Sequence, residues 1–196
     1  MNNKTDNIFD LSSKEVAYIN KFASKEPFKF YGSSKASHND LFLKLIHNKF
    51  MDDKQYIIGF TGTQHGMTDL QKEVVYKIIK QIHPVEVHCG DCIGADAEFI
   101  DIATKINTSV RTIGHIPLKE SKRAFIEYTK KAEPKEYLDR NHDIVDQSQI
   151  MLATSNEDGE ILRSGTWATI RYTRKQKKPL IIIYPSGNFE IENNLC

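Results

Sequence analysis

From Tyr56 onward, short apolar runs alternate with segments whose apolar residues recur every three or four positions. "YIIGF" (56–60) predicts a short buried strand ending at Thr61-Gly62-Thr63. A helix follows, because Thr68 and Gln71 have the spacing of a capping box. Leu70, Val74, Val75, Ile78, Ile79 and Ile82 then form one helical stripe, which Pro84 ends. "VEVHC" (85–89) is a second strand, and Ala95, Phe99, Ile102, Ala103 and Ile106 mark a second amphipathic helix. "VRTIGH" (110–115) is a third strand. Residues 116–136 are charged and irregular, with Pro117 and Pro134 as breakers, and predict a long loop. Helix 136–148, strand 150–155, loop 156–165, helix 166–178 and strand 179–185 complete the pattern.

Near-continuous apolar strands point to a parallel sheet covered by helices on both faces. Their alternation with helices predicts an α/β, doubly wound, mostly parallel Rossmann-like sheet of about five or more strands. Residues 54–196 are assigned to this domain. Residues 1–53 read as a mainly helical N-terminal extension, with helical patterns at "SSKEVAYINKFA" and "DLFLKLIHNKF" and a loop, "KEPFKFYGSSKASHN", between them. The extension carries no evident chemistry; packing on the sheet or dimerisation are its candidate roles.

A chain of 196 residues is long enough to bury a real core. Its net charge of +1 gives no general pull toward nucleic acid or membrane. Three cysteines, an odd number, argue against a disulfide framework. No apolar run approaches the ~20 residues that span a bilayer, and the polar N-terminus does not read as a secretory signal. A cytoplasmic protein is expected.

In a sheet of this kind ligands bind beyond the carboxyl ends of the strands, where strand order reverses. Three segments leave a strand end and enter a helix: "TGTQHGMT", "CGDCIGAD" and "EDGEILRSGTW". Each has glycine where the backbone turns or a ligand approaches, and each ends at a helix N-terminus that favours an anion. Hydroxyls at Thr61, Thr63, Ser164 and Thr166 can donate to phosphate oxygens. A helix terminus contributes only ~0.3–2 kcal/mol toward a nearby charge. Micromolar binding needs about 8 kcal/mol. Arginine forks and an aromatic face must add the rest. Arg163, Arg140 beside Asn141, and Trp167 are the candidates. Trp167 also suits a core position, and His65 a phosphate contact, an acid or plain surface.

Cys89 and Cys92 form C-x-x-C, a pattern compatible with redox or metal chemistry. Asp91 between them opposes a thiolate, and no second cysteine or histidine pair completes a zinc site, though His88 and His115 could add ligands. No metal or required cofactor is expected. The dinucleotide fingerprint G-x-G-x-x-G and the Walker motif are absent.

"GFTGTQHGMTDLQ", "HCGDCIGADAE", "YLDRNHDIVDQS" and "RSGTWATIRYTRKQKKPLIIIYP" together resemble the SLOG superfamily of Rossmann-like nucleotide-binding domains. It unites the Smf/DprA DNA-processing proteins with the LOG phosphoribohydrolases. The resemblance spans about Tyr56 to Ser186. It implies a nucleotide-type ligand, a nucleoside monophosphate or an NAD-derived signal of ADP-ribose type, and a homodimer or higher homo-oligomer. The ligand shell it implies is Gly62, Thr63 and Gln64; Gly90, Asp91, Gly94 and Asp96; and Arg163, Ser164, Gly165, Thr166 and Trp167. LOG enzymes carry P-G-G-x-G-T-x-x-E. Here Gly165 and Thr166 keep the motif's glycine-threonine, with Thr169 in place of the glutamate. Threonine is no carboxylate base near neutral pH.

Three functions follow. The first is a module that senses or sequesters a nucleotide. The second is a nucleotide N-glycosidic hydrolase or transferase with Asp91 or Asp96 as base or nucleophile, residues that would otherwise cap the second helix and fix its turn. The third is single-stranded DNA binding through "TRKQKKP" and "KESKRAF", runs that more often form a solvated face.

Overall fold

The structure is a computed structural model that describes residues 55–192 and the backbone of 30–32. In chain order the elements are β1 (Phe30–Gly32), β2 (Ile57–Thr61), α1 (Asp69–Ile82), β3 (Glu86–Cys89), α2 (Ala95–Ile106), β4 (Arg111–Pro117), a short 3-10 turn (Glu120–Lys122), β5 (Lys130–Lys135), α3 (Tyr137–Gln147), β6 (Ile150–Thr154), α4 (Gly165–Lys175), β7 (Leu180–Ile183) and β8 (Phe189–Glu192). The eight strands form one sheet in the order β1-β8-β7-β6-β2-β3-β4-β5. The six strands from β7 to β5 run parallel. β8 and β1 close the other end antiparallel.

Alternation along the strands sends side chains to two cores. Ile58, Phe60, Val87, Leu152 and Ile181 meet α1 and α2 on one face, where Phe60 and Phe99 stack at 4.2 Å. Met151, Ala153, Leu180 and Ile182 meet Ile144, Val145 and Ile170 of α3 and α4 on the other. α1 begins at the expected capping box: Gln71 N donates to Thr68 Oγ1 and Thr68 N to Gln71 Oε1. Gln71 also donates through Nε2 to the carbonyls of Ser155 and Ile183, tying α1 to the ends of β6 and β7.

The five expected strands and four expected helices of the domain are present, within a few residues at their ends. Three strands were not expected from the pattern. Residues 116–136 hold β5, with Pro117 ending β4 and Pro134 inside β5. "KKAEPK" has no apolar alternation because it is the sheet's outermost strand and nearly all of it is exposed. β8 follows the last expected strand after a tight turn. β1 falls within the segment read as a loop between the two N-terminal helices. Those two helical readings lie outside the described residues.

Candidate functional site

The chain passes from β2 outward to β5, then returns to β6 on the opposite side of β2. Connections after β2 and β6 therefore diverge and leave a crevice above the carboxyl ends of these strands. A cleft of about 530 Å³ opens there. Gly62 to His65 line it from the loop after β2, Asn156, Ile161 and Arg163 from the loop after β6, and Ser164 to Thr166 from the start of α4. Cys92 comes from the turn into α2. Pro117 lines it from the end of β4, Leu118, Lys119, Ser121 and Lys122 from beyond β4, and Glu136 and Tyr137 from the start of α3.

Sequence-specific contacts build this edge. Ser164 caps α4, its hydroxyl accepting from Trp167 N at 3.4 Å. Thr166 Oγ1 donates to Gly62 O at 3.0 Å, fastening the β2 loop to α4. Gly94, at φ +86°, caps α2, and a side chain there would strike the carbonyl of Gln64. Ala95 N donates to Thr63 O at 3.0 Å. The first N–H groups of α4 have no intrahelical backbone acceptors, and its first residues, Gly165 and Thr166, line the cleft. Among the described residues Lys119, Lys122 and Arg163 make the lining basic against one carboxylate, that of Glu136. Among the described residues none of these three cations has an ion-pair partner.

The turn after β3 works mostly inward. Asp91 is fully buried at φ +57°; it accepts from Arg123 Nε at 2.7 Å and from Ile126 N at 3.0 Å. Asp96 Oδ2 accepts from Gly90 N and Cys92 N, and burial pushes its carboxyl up against the pull of Arg140. Arg140 is buried, its Nη2 donates to Cys92 Sγ at 3.0 Å, and its guanidinium carbon stands 4.6 Å from the Tyr137 ring centre. Burial and the neighbouring Asp96 push the Cys92 thiol up.

Of the expected shell, the cleft brings together Gly62, Thr63, Gln64, Arg163, Ser164, Gly165 and Thr166. Thr61 ends β2 just below it. Gly90, Asp91, Gly94, Asp96, Arg140 and Asn141 lie behind the lining, the two carboxylates holding the turn. Trp167 packs in the α3/α4 core, 3% exposed, because the first turn of α4 rotates its ring inward. Thr169 is buried with its hydroxyl donating to Gly165 O. Cys89 and Cys92 engage different partners: Cys89 Sγ meets Tyr128 Oη at 3.2 Å, and burial pushes its thiol far up. No cluster of three or more His, Cys, Asp or Glu suited to a metal occurs among the described residues.

The basic runs are also resolved. Arg174 pairs with Glu192 and Glu160, and Lys178 Nζ donates to the carbonyls of Val145, Asp146 and Ser148. Only the other run, through Lys119 and Lys122, reaches the cleft. Sequence reasoning missed that contribution, and Tyr137 and Glu136, because the segments after β4 and β5 lack the glycine turn used as the marker. For Lys119 and Lys122 their place after the expected third strand was the available signal; for Glu136 and Tyr137, after the unexpected β5, there was none.

Under α3 a buried polar chain crosses the sheet. His88 Nε2 meets Glu86 Oε1 at 2.8 Å, and His88 Nδ1 meets His115 Nε2 at 2.8 Å. A carboxylate only accepts, so His88 donates to Glu86 and accepts from His115. This leaves His115 Nδ1 as a bare acceptor, buried with no hydrogen-bond partner among the described residues. Burial, reinforced by His88, pushes His115 down to about 4.

No known family model matches the chain, and no curated protein matches it. Solved structures do. A molybdenum cofactor binding protein from the phototrophic bacterium Rippkaea orientalis is similar at 21% identity and TM-score 0.53, over 68% of this chain and 78% of that one. A Moco carrier protein from Chlamydomonas reinhardtii is similar at 20% identity and TM-score 0.42, over 66% and 76%. The first of these likenesses is one of fold: the Rossmann-like α/β architecture described above.

Proposed function

We propose that this chain binds a nucleotide-type small molecule, a nucleoside monophosphate or a signal of ADP-ribose type, in the cleft and acts as a sensor or sequestering module. The observation that carries this reading is the basic cleft at the crossover of the sheet, where Lys119, Lys122 and Arg163 face one carboxylate beside the start of α4. Its volume suits a small-molecule site. Binding is favoured over N-glycosidic cleavage because Thr169 supplies no base, and Asp91 and Asp96 accept from arginine and backbone donors behind the lining. Calorimetry against AMP, ADP-ribose and cyclic ADP-ribose isomers tests it. Binding of at least one at micromolar to sub-millimolar concentration is expected; silence from all near millimolar ligand refutes the reading.

A second reading draws on the fold likeness to the molybdenum cofactor binding protein: the cleft holds a molybdenum cofactor as cargo. The same cations would face its anionic groups. The lining has one soft donor, Cys92, already accepting from Arg140, and no assembled ligand set for a metal. Such a cargo would be held through its organic part. Molybdenum analysis of protein purified from a host that makes the cofactor separates the two readings: stoichiometric metal supports the second.

A further inference from the structure

Helix ends and cations account for the charged part of a ligand, and leave open what holds a flat ring. Among the described residues Tyr137 is the only tyrosine, phenylalanine or tryptophan lining the cleft. It is 41% exposed, yet it is not a loose surface ring. The Arg140 guanidinium stands over the ring 4.6 Å from its centre. Gly165 fixes an edge: a Cβ there would come within 2.7 Å of Tyr137 Oη and 2.9 Å of Cε1.

Only 4% of Arg140 is exposed; among the described residues it forms no ion pair and its Nε has no hydrogen-bond partner, although the buried Asp96 carboxyl feels its charge. A buried cation held in no direct ion pair is costly. Its guanidinium lies against Gly90 and touches the Tyr137 ring and Cys92, the last two in the cleft lining. A cation against an aromatic ring is attracted by the ring's electron density. That pull makes the opposite face less negative, and so better suited to a neutral, electron-rich heterocycle than to a positively charged one. Leu118 and Ile161, both exposed apolar residues of the lining, offer cover for such a ring.

We infer that Tyr137, backed by Arg140 and seated on Gly165, is the platform on which the planar heterocycle of the cleft's ligand stacks, with selection for neutral rings over cationic ones. This rests on the reading of the cleft as a site for a phosphorylated small molecule. Three probes share a ribose phosphate: AMP has a neutral ring, nicotinamide mononucleotide a cationic one, and ribose 5-phosphate none. Calorimetry on the full chain is expected to rank AMP about 10-fold above the other two, the scale of one base stacked on an aromatic residue. Tyr137→Ala is expected to bring AMP down to ribose 5-phosphate while leaving ribose 5-phosphate unchanged, which also reports that the variant is folded. Tyr137→Phe is expected to keep the preference. Equal wild-type binding of all three probes, or a Tyr137→Ala loss shared equally by AMP and ribose 5-phosphate, overturns the platform and leaves the phosphate site standing. Binding of none of the three overturns the reading of the cleft, and the platform with it.

Discussion

The Arg140 guanidinium lies against Gly90 in the space where any side chain at position 90 would begin. Gly90→Ala therefore cannot be accommodated by a small shift, since Arg140 is also held by Cys92 and Tyr137. Overpacking of this kind costs about 1–3 kcal/mol. The urea midpoint is expected to fall accordingly, and AMP affinity to fall with it as Arg140 leaves the Tyr137 ring. An unchanged midpoint would show that the guanidinium moves freely.

Asp91 governs the segment that carries Leu118, Lys119 and Lys122 into the cleft. Its carboxylate holds Arg123 and the amide of Ile126. Asparagine tolerates the positive φ of this position, so Asp91→Asn isolates the loss of charge. Breaking a pair in which Asp91 is fully buried and Arg123 largely so is expected to cost about 3 kcal/mol. Hydrogen exchange of the amides at 118–126 should quicken more than that of α1. Uniform exchange across both regions would contradict this role.

Arg163 sits beside the start of α4 without an ion-pair partner among the described residues. A charge-assisted contact to phosphate is worth enough that Arg163→Ala should weaken AMP about 10-fold at low salt. Adenosine, which lacks the phosphate, should be unaffected. An equal loss for adenosine would assign Arg163 to shape and not to charge. Raising the salt should narrow the difference between wild type and variant.

His115 is 1% exposed, and burial lowers it from 6.5 to about 4. The groups around it are His88, Asp143, Arg140 and Lys135. An unfolded chain protonates this histidine near 6.5, whereas the folded protein resists until about 4. Below 6.5 the unfolded state thus binds more protons, and stability falls as pH drops toward 4, by about 3 kcal/mol from this group. Above 6.5 the contribution is whole. Urea midpoints across pH 4–8 should show a steeper acid decline in the wild type than in His115→Gln. Parallel profiles would sink the assignment.

Much of this fold was legible because buried parallel strands and capped amphipathic helices leave local marks: apolar runs such as "PLIIIYP", and the Thr68/Gln71 box. β5 was not legible, since an outermost strand with both faces near solvent has no apolar face to write into its sequence. Half of the cleft was found through glycine turns. The other half hangs on Tyr137, Lys119 and Lys122, whose position follows from where β4 and β5 end in three dimensions and from no local motif. Trp167 shows the converse: next to a ligand turn in sequence, its side chain is rotated by the helix into the core.

The polar character of β5 also bears on how copies of this chain can meet. A free strand edge is a template for adding another strand. Here the rim presents Lys130, Lys131 and Lys135, and Pro134 has no N–H to offer a newcomer. A second molecule aligning its own β5 there would set lysines against lysines. Among the described residues no strand pairs with the outer edge of β5, and its composition opposes a second β5 joining there.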